Sequence, residues 1–119
     1  MIWVFRILAV AVATVILVLS LQPFTGSLGV NHADKVQHLL AYGLLAGLMA
    51  LGWPRCRPVW IVAIAALFGL GVELAQGVMS QGRTASGLDA LANLIGALLA
   101  SFALPRARSL LRRRNERMR

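Results

Sequence analysis

The chain has little charge where a soluble domain would carry it. Asp, Glu, Lys and Arg make up 13% of its 119 residues, and only Asp34, Glu73, Asp89 and Glu116 are acidic. Soluble domains are about one quarter charged, so the deficit excludes an ordinary water-soluble fold. It makes a bilayer the natural solvent, since a charge at the centre of a spanning helix costs about 2.5–3.5 kcal/mol on insertion scales. Cysteine is limited to Cys56, which excludes an internal disulfide and leaves no thiolate spacing for a zinc site. Standing between Arg55 and Arg57, Cys56 is expected in a short turn. HExxH is absent, as are an internal repeat and any low-complexity segment other than an arginine-rich end.

What the chain does have is 59% hydrophobic content and a mean hydropathy of +0.76. Four apolar stretches stand out, from Val4 to Leu21, Val36 to Trp53, Val59 to Met79 and Leu88 to Leu104. Each approaches the ~20 residues that cross ~30 Å of hydrocarbon at about 1.5 Å per residue. Pro23, Gly26 and Gly29 follow the first stretch, Pro54 and Pro58 bracket the second break, Ser80 to Gly87 is polar, and Pro105 is expected to close the fourth. Backbone in lipid must satisfy its own hydrogen bonds, and no stretch alternates like a strand. The expected fold is all-α, a polytopic bundle of four transmembrane helices over residues 1–105 with a basic tail over 106–119.

The net charge of +8 is a property of that tail, because Arg106, Arg108, Arg112, Arg113, Arg114, Arg117 and Arg119 are seven of the twelve basic residues. No aromatic residue accompanies them to stack on bases, so the tail is expected to hold a cytoplasmic end against anionic lipid rather than to bind nucleic acid. Arg6, Arg55 and Arg57 fall on the same side, against Lys35 and Arg83 on the other. The asymmetry predicts both termini in the cytoplasm and the 22–34 and 80–87 loops outside. Trp3 and Trp60 are expected at the cytoplasmic interface, Trp53 as an interfacial or packing aromatic, and His32 in a solvated loop. Arg6 followed by an apolar run also has the outline of a signal peptide, but Leu19-Ser20-Leu21-Gln22-Pro23 offers no small-x-small cleavage site, and the stretch reads as an uncleaved helix. Gly43 and Gly47 in helix two, with Ala92, Gly96 and Ala100 in helix four, form small-residue faces suited to packing within the chain, or against a second copy in a homo-oligomer.

With that orientation the polar residues gather at the outer ends of helices two to four. Asp34, Lys35, His38 and Tyr42 open helix two at spacings that share a face; Glu73 and Gln76 end helix three; Asp89 and Asn93 open helix four after a loop carrying Arg83. Glu73 precedes Met79 by six residues, roughly 9 Å inside its helix end, where a carboxyl group needs a proton or a partner such as Arg83, Lys35 or protonated His38. His38, Glu73 and Asn93 are expected to approach one another. Plainer roles stand beside these: Asp34 as a helix-dipole partner, Asp89 as the acidic member of a Ser86-Gly87-Leu88-Asp89 capping box, Glu73 and Asn93 as interhelical hydrogen-bonders, and Tyr42 as a packing aromatic.

The motifs Asp34-Lys35-Val36-Gln37-His38 with Tyr42, Glu73-Leu74-Ala75-Gln76, and Gly82-Arg83 followed by Asp89-Ala90-Leu91-Ala92-Asn93-Leu94-Ile95-Gly96 resemble those of the VanZ-like family of bacterial membrane proteins. In order and spacing the likeness spans about residues 4 to 104. It implies a helical domain in the bacterial plasma membrane, in a family named after a protein linked to low-level resistance to the lipoglycopeptide teicoplanin. Its characteristic polar positions carry over to Asp34, Lys35, His38, Tyr42, Glu73, Gln76, Arg83, Asp89, Asn93 and Gly96.

The expected function is binding or handling of an envelope lipid, or a lipid-linked cell-wall component, at the outer leaflet. Lys35 and Arg83 suit phosphate, His38, Gln76 and Asn93 suit a head group, and the apolar helices suit its chain. The competing class is an enzyme acting on such a lipid, with His38, Glu73 and Asp89 as catalytic candidates and Asp34 beside them for an acid–base pair or a metal. Proton-coupled transport through Glu73 is a third class, and an assembly role a fourth.

Overall fold

The computed structural model of the chain describes residues 1–22, 32–79 and 86–118. Four helices account for nearly all of them: α1 (Ile2–Leu21), α2 (His32–Gly52), α3 (Pro58–Met79) and α4 (Gly87–Arg117). The expected turns at Pro23, Gly26 and Gly29 and from Ser80 to Ala85, with Arg83, lie outside the described residues. His32, expected in a loop, is the first residue of α2. Pro58 opens α3, where its missing N–H is one that no helix would use.

Most large aliphatic side chains face outward, and alanines make up half of the buried apolar core among the described residues. Val10, Leu40, Leu67, Leu74 and Leu99 are each at least 60% exposed, whereas Ala46, Ala65 and Ala97 are completely buried. One core gathers Ala46, Ala50, Ile61, Ala65 and Ala97; a second gathers Ala9, Ile16, Tyr42 and Leu45, with Tyr42 and Phe68 rings 6.1 Å apart. In water such a surface would drive aggregation. In lipid it costs nothing, and helices associate instead through close packing of small residues. Three helices, α1, α3 and α4, are long and apolar enough to cross a membrane. α2 falls short because its first turns carry Asp34, Lys35, Gln37 and His38.

α2 packs on all three other helices and most extensively on α4. The seam depends on glycine. A Cβ at Gly96 would collide with the Leu39 carbonyl oxygen and come within 3.0 Å of the Gly43 nitrogen, and one at Gly43 would touch the Gly96 carbonyl at 3.5 Å. Gly47 faces Leu104 and Ala100. The small-residue faces of α2 and α4 are thus occupied by each other within one chain, so a second copy could use Gly43 and Gly47 only by displacing α4.

At one end of the bundle Arg6 donates from Nε to the Gly52 carbonyl at 2.8 Å and lies 5.2 Å over the Trp53 ring. That carbonyl is one of the last four of α2, which the helix itself leaves unpaired. Trp3 and Trp60, both exposed, belong to the same end, as does the Trp53–Arg57 turn with half-buried Cys56.

Pro105 does not end α4, which runs on to Arg117. Proline forfeits the bond to the Ser101 carbonyl, but the following segment of Arg, Ala and Leu is rich in strong helix formers. It adds an i,i+4 pair between Arg112 and Glu116 at 3.2 Å. The basic segment is therefore an exposed extension of α4, and the boundary expected at residue 105 is no break in the helix.

Candidate functional site

At the opposite end, α2 and α4 face each other across a polar contact built one turn at a time. Asp34 and His38 are four residues apart on α2, as Asp89 and Asn93 are on α4, so each pair lies on one face. His38 fits between the two residues of α4. Its Nδ1 is 3.0 Å from Asn93 Oδ1, and its Nε2 is 3.8 Å from Asp89 Oδ2. Lys35 donates from Nζ to Asp89 Oδ1 at 3.1 Å. Ligand atoms of Asp34, His38 and Asp89 lie within 4.8 Å of one another, with Asp34 the exposed member. One turn deeper, Tyr42 and Asn93 are almost fully buried, and Gly69 of α3 makes room for them. A Cβ there would come within 3.0 Å of Tyr42 Cε1 and 3.1 Å of Asn93 Nδ2.

Glu73 and Gln76, both buried, serve helix ends instead. Ser86 caps α4 by accepting from the Asp89 N–H at 3.4 Å, while the Ser86 N–H donates to Glu73 Oε2 at 3.1 Å. The capping box expected between Ser86 and Asp89 is therefore half made. Its acidic partner comes from α3, because the Asp89 carboxylate is turned toward Lys35 and His38 on α2. Gln76 donates from Nε2 to the Ser20 carbonyl at 2.8 Å, pairing one of the last four carbonyls of α1. The expected approach is met for His38 and Asn93, but the Glu73 carboxyl group is directed to Ser86. Lys35, expected as a partner for Glu73, goes to Asp89. Glu73 Oε1 and Asn93 Nδ2 are buried with no hydrogen-bond partner among the described residues.

Beside the polar contact runs a groove of about 420 Å³ between α1 and α2. Leu8, Val12, Val15, Ile16 and Leu19 form one wall, Ala41 and Leu44 line the other, and Asp34, Gln37 and His38 stand at its mouth. Its volume falls within the range of small-molecule pockets. From Leu8 to Leu19 it follows roughly 16 Å of helix. The role of α1 in this wall was not visible in its sequence, where nearly every side chain from Ile7 to Leu21 is apolar. Gly69 left a signal that could have been used: it precedes Glu73 by four residues, on the same face of α3.

In comparisons with known proteins, no family model, curated protein or solved structure matches the chain.

Proposed function

We propose that the chain is a VanZ-like integral membrane protein that binds an envelope lipid or lipid-linked cell-wall component at the outer leaflet of the bacterial plasma membrane. The α1–α2 groove carries the proposal: an apolar trough ending in Asp34, Gln37 and His38 suits a molecule with a long hydrocarbon chain and a polar head. The three-part polar motif adds the family resemblance. All four helices span in this arrangement, because in the polar first turns of α2 Lys35 and His38 meet α4 while Asp34 and Gln37 stand at the groove mouth. The arginines at the opposite end, with the α4 extension, make that end cytoplasmic by the positive-inside rule and set the groove mouth at the outer surface.

Native mass spectrometry of the purified chain offered polyprenyl phosphate, phosphatidylglycerol or phosphatidylcholine tests this. A phosphate lipid should stay bound to the wild type and be lost in Ala41→Trp, which fills the groove. Equal retention by Ala41→Trp would refute the groove as the site. A lipoglycopeptide such as teicoplanin presents the same combination of acyl tail and polar head, and is the natural second probe. The convergence of His38 with Asp34 and Asp89 favours one alternative, a hydrolase acting on the same lipid, which release of inorganic phosphate from a bound polyprenyl pyrophosphate would select.

A further inference from the structure

We infer that Asp34, His38 and Asp89 form a binding site for a first-row divalent cation, zinc or manganese, at the mouth of the α1–α2 groove. The imidazole supplies the first argument. Asn93 Oδ1 only accepts hydrogen bonds, so its 3.0 Å contact assigns the Nδ1 proton of His38 to that bond. In the neutral ring Nε2 then carries the lone pair, and it faces Asp89 Oδ2. A second oxygen and a nitrogen lone pair have nothing to exchange across that gap, and 3.8 Å is beyond hydrogen-bond length in any case. It is the spacing of two ligands on one ion, since donors about 2.0–2.2 Å from a metal stand roughly 3 to 4 Å apart. An imidazole that donates its other N–H to an amide oxygen is also how proteins orient a metal-ligating histidine.

The remaining donors fit the same ion. Asp34 stands one helical turn before His38 on the same face, within 4.8 Å of the other two ligand atoms, and a rotation of its exposed carboxylate closes the remaining gap. It is exposed, which leaves coordination positions for water or a head group. Asp89 is divided between two cations: Oδ1 receives Lys35 at 3.1 Å, and Oδ2, with no hydrogen bond among the described residues, turns to the metal. One nitrogen and two carboxylates suit zinc or manganese better than a thiophilic ion.

Charge gives the ion a purpose, and this part rests on the lipid-binding proposal. Among the described residues two carboxylates stand against one ammonium at the mouth, and that excess of acidic groups disfavours a phosphate. A divalent ion reverses that balance and bridges the carboxylates to the phosphate oxygens, as carboxylate-bound cations do with phosphate substrates.

The test begins without lipid. The full chain, stripped with chelator in an uncharged detergent, is titrated with Mn²⁺ followed by electron paramagnetic resonance, with Zn²⁺ as competitor. One ion per chain is expected, at least tenfold weaker in Asp34→Asn and absent in His38→Ala, with Glu116→Gln on the exposed α4 extension unchanged. His38 also joins α2 to α4, so Asp34→Asn, exposed and with no bond to α4 among the described residues, is the variant that decides if His38→Ala fails to fold. No stoichiometric ion in the wild type, or undiminished affinity in Asp34→Asn, overturns the site whatever the lipid results. Retention of polyprenyl phosphate is then measured with Mn²⁺ and with chelator. Loss of retention with chelator supports the bridge. Retention that ignores the ion, yet still fails in Ala41→Trp, overturns the bridge and leaves the groove standing.

Discussion

Gly96 is where a single methyl group should do the most damage. Its missing Cβ is what allows the α2 and α4 backbones to touch at Leu39 and Gly43, and neither a carbonyl oxygen nor a peptide nitrogen can rotate away as a side chain would. Gly96→Ala therefore forces the helices apart along their largest interface. Overpacking a close-packed core costs about 1–3 kcal/mol, and a backbone obstacle belongs at the upper end, about 3 kcal/mol. Alanine returns about 1 kcal/mol of helix propensity, leaving a net loss of about 2 kcal/mol, or roughly thirtyfold in the folding equilibrium. Gly71 is the internal control: it lies in α3 with nothing within 4 Å of where a Cβ would stand, so Gly71→Ala should keep the propensity gain with no collision. Equilibrium unfolding by SDS titration in mixed micelles, followed by helicity, reads both variants. The gap between them should be about 3 kcal/mol, the whole cost of the backbone collision. If Gly96→Ala and Gly71→Ala unfold together, the close α2–α4 contact is wrong.

Two further outcomes follow from the same geometry. Ser86→Ala should cost about 1 kcal/mol by removing the cap of α4, and Glu73→Leu about 1–3 kcal/mol by leaving the Ser86 N–H unpaired; the double variant should cost less than the sum, and strict additivity in the same SDS titration would show that the two do not share one helix end. For topology, reporter fusions at Arg57 and after Arg119 should be cytoplasmic and one between Ser80 and Gly87 extracytoplasmic, and a periplasmic C-terminal fusion would defeat the four-span proposal.

The helices were legible in the sequence because the boundaries of apolar stretches and the turn residues Pro54 and Pro58 are local signals. Pro105 was misleading for the same reason: a local breaker lost to the helix-forming segment on either side of it. Partners were not legible. Spacing alone places Asp34, Lys35, His38 and Tyr42 on one face of α2, yet whether Lys35 meets Glu73 or Asp89 depends on the rotation of α3 and α4, which no periodicity reports. Little in the residues of α1 distinguishes the side chains lining the groove from those facing outward, since both sets are mostly aliphatic. Small residues did carry information, because Gly43 and Gly96 mark the seam that brings His38 to Asn93.

The polar residues separate by what they bond, and the separation narrows the site. A helix end in an apolar medium has backbone groups that water cannot reach, so a neighbouring side chain must pair them. Arg6 does this for α2, Gln76 for α1 and Glu73 for the first turn of α4. Their presence at such depth is explained by the backbone they complete. Asp34, Lys35, His38, Asp89 and Asn93 are different: apart from the one N–H of Asp89 that Ser86 caps, the bonds described for them run from side chain to side chain. A bundle needing only to hold α2 against α4 has the Gly43–Gly96 contact for that purpose, and apolar side chains would finish it without the desolvation of an ion pair. Of these five, Asp34 and His38 also line the groove, and on the lipid-binding proposal exposed Asp34, which carries none of the α2–α4 bonds, is where a substitution should change binding more than stability.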